Sequence, residues 1–201
     1  MPKYTFSTSS TGDYKEKGSS FHAIVEPSSS VDYIKSKLLK LKEQYPNASH
    51  ICYGYRIKQK GRLDEFSTDA GEPNGSAGQP ILNVLKRNQL VNTAIFVIRY
   101  FGGSKLGIPG LINAYGTAAE RAIENGSVQI WVQLERISFN YSYDLQNKVD
   151  SVLQKFNVKI INTDFAGSIQ VNLEVEVEKT EELGQQLREL SNGSIIIKQA
   201  S

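Results

Sequence analysis

The stretch from residue 66 to residue 126 constrains the chain more than any other. At its centre, Thr93 to Tyr100 reads TAIFVIRY, an apolar run with one charge, Arg99. Alternation places Ala94, Phe96, Ile98 and Tyr100 on one face and Ile95, Val97 and Arg99 on the other. Both faces are largely apolar, so both must be covered, and the segment is predicted to be a central strand. It runs into Phe101-Gly102-Gly103-Ser104-Lys105-Leu106-Gly107, a glycine-rich loop that opens a helix. Upstream lies a turn-rich loop, Asp69-Ala70-Gly71-Glu72-Pro73-Asn74-Gly75, which holds two carboxylates. Polar backbone is thus fixed beside a strand and two helices, which is how sites are commonly built.

These segments resemble the IMPACT, or YigZ, family of translation-linked proteins. The resemblance rests on Asp69, Gly71, Glu72, Pro73, Gly75, Ala77 and Gly78, on Arg99 to Gly107 apart from Ser104, and on Ala114-Tyr115-Gly116. His50, Cys52, Tyr55 and Arg56 match a further family strand. The likeness is strong over residues 15–126, and length and strand pattern extend it onward. Ala70 stands where the family has an aspartate, Ser76 a threonine, Pro109 a small residue and Asn113 an arginine. The resemblance implies an N-terminal part similar to domain IV of elongation factor G and a C-terminal part similar to domain V. Eukaryotic relatives act on the general-control response through an additional N-terminal domain. This chain starts at the shared core, so that partnership is not expected here.

Along the chain, residues 3–6 and 21–26 read as strands joined by a polar connection. Ser28 to Ser30 offer N-cap hydroxyls. Val31, Ile34, Leu38, Leu41 and Tyr45 then recur at helical spacing, and Pro46 stops the helix. His50 to Ile57 is a strand with His50, Cys52, Gly54 and Arg56 on one face. Lys58 to Arg62 reads as a basic turn and Pro80 to Asn88 as a short helix. The helix after Gly107 ends at Asn125-Gly126. Beyond residue 130, strands at 133–142, 158–165, 168–178 and 194–198 alternate with helical stripes at 145–156 and 183–190. That β-α-β-β-α-β order is ferredoxin-like. The fold expectation is therefore α+β with two domains. Residues 1–130 would be ribosomal-protein-like, as in domain IV of elongation factor G, and residues 131–201 ferredoxin-like.

Composition narrows the functions. The single cysteine, Cys52, excludes an internal disulfide and fits a reducing cytoplasm. One cysteine and two histidines are too few for a convincing zinc site, so neither metal nor cofactor is expected. The N-terminus has no signal-peptide core and no apolar run is long enough to cross a membrane. Residues 1–130 hold 16 Lys and Arg against 11 Asp and Glu, while residues 131–201 hold 7 against 10. The first part is basic and the second acidic.

Gly102, Gly103 and Lys105 could hold an anion at a helix start, or the glycines could only permit a tight crossing. Asp69 and Glu72 could act as acid and base or hold magnesium, but turn and helix-cap roles are preferred because no nucleophile accompanies them. His50 and Cys52 stand side by side on a strand, in poor geometry for proton transfer. The candidate nucleic-acid or anion contacts are His50, Arg56, Lys58, Arg62, Arg99, Gly102, Gly103 and Lys105, with Lys60, Lys86 and Arg87 as further basic positions. The motif loop is Asp69, Gly71, Glu72, Pro73, Gly75 and Gly78. No residue is assigned a catalytic role. In the C-terminal domain the exposed set on strand 168–178 is acidic and lacks aromatics, which suits a protein partner or solvent better than RNA. The expected function is non-enzymatic binding of RNA, the ribosome or a translation-associated protein. The alternative is an enzyme or small-anion binder using loops 69–78 and 101–107 as one pocket.

Overall fold

The computed structural model describes residues 3–59 and 62–200, so Lys60 and Gly61 lie outside the described residues. The chain divides into two compact units, Met1–Trp131 and Val132–Ser201. Each is α+β.

The first unit contains β1 (Lys3–Phe6), β2 (Ser10–Glu16), β3 (Ser19–Pro27), α1 (Val31–Gln44), β4 (His50–Gln59), β5 (Arg62–Thr68), α2 (Gly78–Arg87), β6 (Thr93–Tyr100), α3 (Gly107–Glu124) and β7 (Val128–Trp131). A five-stranded sheet runs β2-β3-β6-β4-β5, with every neighbouring pair antiparallel. β6 is central, as its two apolar faces require. On one face Ile24, Ile51, Ile57, Phe96 and Ile98 pack with Ile34 and Leu41 of α1. On the other, Phe21, Cys52, Ile95 and Val97 pack with α2 and α3. The small residues Ala114, Ala118, Ala119 and Ala122 are fully buried there and let α3 lie close to the sheet. Ser30 caps α1 by accepting from the Tyr33 amide at 3.3 Å.

Three strands were not expected. The polar connection between residues 6 and 21 contains β2, which pairs with β3 through a turn at Lys17-Gly18. β5 lies where the sequence predicts no element before Asp69, and the segment expected as a basic turn is strand on both sides of the undescribed residues. Both are edge strands, whose sequences need only one apolar face. β1 pairs with β7, not with β3, so the start and end of the unit form their own ladder.

The second unit runs β8 (Leu134–Tyr141), α4 (Gln146–Phe156), β9 (Lys159–Phe165), β10 (Ile169–Glu176), α5 (Thr180–Leu190) and β11 (Lys198–Gln199). Its sheet order, β11-β8-β10-β9, is the ferredoxin-like order. Ile137, Phe139, Val171 and Leu173 pack under Val149, Leu153, Leu183 and Leu187 of the two helices. The last strand occupies only Lys198–Gln199; Ile195 is instead buried ahead of it in the core. On the open face, Glu174 pairs with Arg136 at 3.2 Å and with Lys159 at 3.7 Å. That face is therefore of mixed charge, and the expectation of an acidic one is corrected by cations from β8 and β9.

Candidate functional site

The motif loop is built from Asp69 outward. α2 has no side-chain cap at Ala77. Asp69 takes that role from eight residues upstream, its Oδ1 accepting from the Ala77 amide at 2.9 Å and the Gly78 amide at 2.8 Å. Oδ2 accepts from the Gly75 amide at 2.8 Å. Burial opposes the charge, but the amides of Gly75, Gly78 and Ala77 outweigh it and hold this carboxyl below the usual aspartate range. Gly78 is required because a Cβ there would lie 2.7 Å from the Thr68 backbone. Ala70 sits at φ 46°, a left-handed conformation that aspartate tolerates better than alanine.

Glu72 is the hub. Its side chain is 4 % exposed. Oε1 accepts from Arg99 Nη1 at 2.5 Å and from the Tyr115 hydroxyl at 2.8 Å. His50 Nε2 stands 4.0 Å away, while His50 Nδ1 donates to the Ala70 carbonyl at 2.9 Å. Cys52 Sγ donates to the Asp69 carbonyl at 2.9 Å and lies 3.4 Å from the Tyr115 oxygen. Burial pushes the Cys52 thiol up to about 12, so it is a poor nucleophile at neutral pH. Burial likewise raises Tyr115, with Cys52 and Glu72 adding to the effect. The cluster joins a loop, two strands and a helix by mutual hydrogen bonding. Its carboxylates are occupied by internal donors.

The glycine-rich loop meets the same point. The Arg99 guanidinium carbon is 5.5 Å from the rings of both Phe101 and Phe21. Loops 69–78 and 101–107 thus both close on Arg99. The Phe101 amide donates to Ser49 Oγ at 3.0 Å, and the Gly102 amide to Ser19 Oγ at 3.1 Å. Two amides that could cradle an anion are therefore engaged by serines. Gly102 presses on Gly18, and a Cβ there would overlap the Gly18 carbonyl and the Ser19 nitrogen. Gly103, Ser104 and Lys105 are exposed.

The basic residues fall into two groups. His50 pairs with Arg99 at one end of the β4–β6 ladder, and Arg56 pairs with Thr93 at the other. Six residues of strand separate the two ends, about 20 Å. Arg56 is tied down, donating to Glu65 at 2.9 Å and to the Leu90 carbonyl at 2.9 Å. Lys86 also pairs with Glu65, at 2.7 Å. Arg87 pairs with Glu120 at 2.5 Å. Arg62 is exposed at the start of β5. Lys58 Nζ lies 4.9 Å from the Trp131 ring. Lys3 stands opposite Trp131 in the β1–β7 ladder. The Lys58 ammonium beside it, then burial, then the charges of Lys58 and Arg56, push the Lys3 amine below the usual lysine range. Among the described residues, neither Lys3 nor Lys58 has a carboxylate partner.

Sequence reasoning missed Tyr115 as a partner of Glu72, and it missed Lys3 and Trp131. A tyrosine on the apolar face of a helix needs a partner for its hydroxyl, which is a usable signal. Lys3 and Trp131 are 128 positions apart, and no local pattern joins them.

The arrangement defines a class: a two-unit α+β chain whose first unit fastens a motif loop to a central strand by a buried ion pair. The profile of the Impact N-terminal domain matches residues 17–123. That of a domain of unknown function (DUF1949) matches residues 139–194. The chain belongs to the IMPACT family. It is 32 % identical to the IMPACT family member YvyE of Bacillus subtilis, over 80 % of this chain and 73 % of that one. It is 29 % identical to an IMPACT family member of Haemophilus influenzae, over 90 % of this chain and 89 % of that one. A crystal structure of a hypothetical protein covers 100 % of this chain and 98 % of its own at 24 % identity, with a TM-score of 0.69, and shows the same fold.

Proposed function

We propose that this protein is a non-enzymatic, translation-linked regulator whose first unit binds RNA, in free form or on the ribosome. The link to translation is carried over from the family to which the chain belongs. The observation that carries the nucleic-acid reading is the pair Lys3 and Lys58 beside Trp131. Two ammonium groups held together without a carboxylate favour an incoming phosphate, and an adjacent indole offers a stacking face. Arg62 extends the charge along β5. A binding role is favoured over catalysis because both oxygens of Asp69 and Oε1 of Glu72 already accept from internal donors. We place the protein in the cytoplasm, where a buried free thiol such as Cys52 stays reduced. Among the described residues no helix is long and apolar enough to cross a membrane.

Trp131 is the sole tryptophan, so single-stranded RNA stacking on it should quench the intrinsic fluorescence. Affinity should fall steeply with salt. Lys58→Ala and Lys3→Ala should each lower the slope of log affinity against log salt by about 0.7. An unquenched tryptophan together with salt-independent retention would overturn the RNA reading. Capture from lysate that survives nuclease would point instead to a translation-associated protein.

A further inference from the structure

Arg99 has a donor that Glu72 does not satisfy. Its Nη1 holds Glu72 at 2.5 Å. Its Nε is buried and has no hydrogen-bond partner. The residue as a whole is 6 % exposed. A buried guanidinium N–H left without an acceptor is costly, and native proteins supply one from the chain, from water or from an ion. The edge of a guanidinium that carries Nε is one that grips a planar oxyanion through two parallel bonds. Glu72 sits on Nη1, so that edge is not used by the ion pair.

The surroundings select the ligand. The rings of Phe21 and Phe101 stand 5.5 Å from the guanidinium carbon and keep the site apolar, which strengthens any charge pairing inside it. Phe21 is fully buried, but Phe101 is 50 % exposed. Phe101 is therefore the wall on the solvent side. Gly102 and Gly103 follow it, and Gly103 has open space around it. Arg99 and Glu72 cancel each other's charge, so an entering anion needs another cation. Lys105 is exposed on the same loop and can supply it.

We propose that the Nε edge of Arg99 binds one small oxyanion, a carboxylate or a phosphate group, which enters by displacement of Phe101 and is balanced by Lys105. The site goes beyond the RNA reading. It lies at the opposite end of β6 from Lys58, and a polymer backbone cannot reach a side chain so deeply set.

The test follows the Arg99 Nε–H resonance of the full chain by nitrogen–proton NMR. Sodium phosphate and sodium acetate are titrated separately, with chloride holding the ionic strength constant. The expected result is a saturable downfield shift of this one resonance. Saturation by phosphate alone identifies a phosphate-bearing ligand, by acetate alone a carboxylate, and by both the shared oxyanion chemistry. Lys105→Ala, which leaves the core intact, should weaken the titration about threefold to tenfold. No saturable shift with either anion would mean that the donor is met by buried water, and the proposal falls. A shift produced by an RNA oligomer without terminal phosphates would also overturn it, since a polymer would then be reaching the edge. Failure here leaves the Trp131 quenching test untouched, and the reverse holds as well.

Discussion

Removing Glu72 should damage the first unit more than any surface change. Its carboxylate and the Arg99 guanidinium are 4 % and 7 % exposed. Their desolvation is offset chiefly by their mutual contact and by the Tyr115 hydroxyl. Glu72→Ala leaves a buried cation without its anion, and breaking a buried pair in this way costs about 3–5 kcal/mol. For a unit of this size that is a drop of order 10 °C in melting temperature. Removing both charges is a different perturbation. In a Tyr115→Phe background, Glu72→Leu with Arg99→Met leaves no orphaned group and should stay within about 2 kcal/mol of that background. The assay is urea unfolding followed by Trp131 fluorescence, which reports the unit Met1–Trp131. The cycle should give a coupling of roughly 2 kcal/mol or more. Additive costs, or a Glu72→Ala loss below about 1 kcal/mol, would refute the view that this pair fastens the motif loop to β6.

Asp69→Asn should cost about 1–2 kcal/mol at neutral pH by weakening the cap on α2. The folded-state pKa of Asp69 is depressed. Its contribution is therefore present above the unfolded value and lost as pH falls through the folded one, so wild type and variant should converge in acid melts. Cys52 should resist alkylation at pH 8 in the native protein and react once urea unfolds it, because burial raises its thiol to about 12. Gly102→Ala should lose about 1–3 kcal/mol in urea melts through overlap with the Gly18 and Ser19 backbone. Gly116→Ala meets nothing within 4 Å and should gain about 0.5–1 kcal/mol.

The elements legible in the sequence are those whose burial leaves a periodic trace. β6 is apolar on both faces because helices cover both. α1 shows its stripe because only one side is buried, and the ferredoxin-like unit gives its order through alternating strands and stripes. The edge strands β2 and β5 leave weaker traces, since STGDYKE and RLDEFST satisfy a ladder with one sparsely apolar face each. At the site, the cost of an unpaired buried charge is enough to require a partner for Arg99, the one charge in an apolar strand. It is not enough to name Glu72 as that partner, because Asp69 is turned away by amides six to nine residues further on. The separation of Arg56 from Arg99 was hidden too. Side-chain parity puts both on the same sheet face, but register alone sets which end each occupies.

The β1–β7 ladder has a consequence for synthesis. Lys3 pairs with Trp131 across almost the whole first unit. β1 has its partner only after about 128 more residues have been added. At 5–20 residues per second that wait is roughly 6–26 s. The five-stranded sheet can form in the meantime, since its last strand, β6, ends at Tyr100. The lysines around Trp131 come together only when the ladder closes. A nascent chain would therefore acquire this charged corner last, after the core that supports it is already in place.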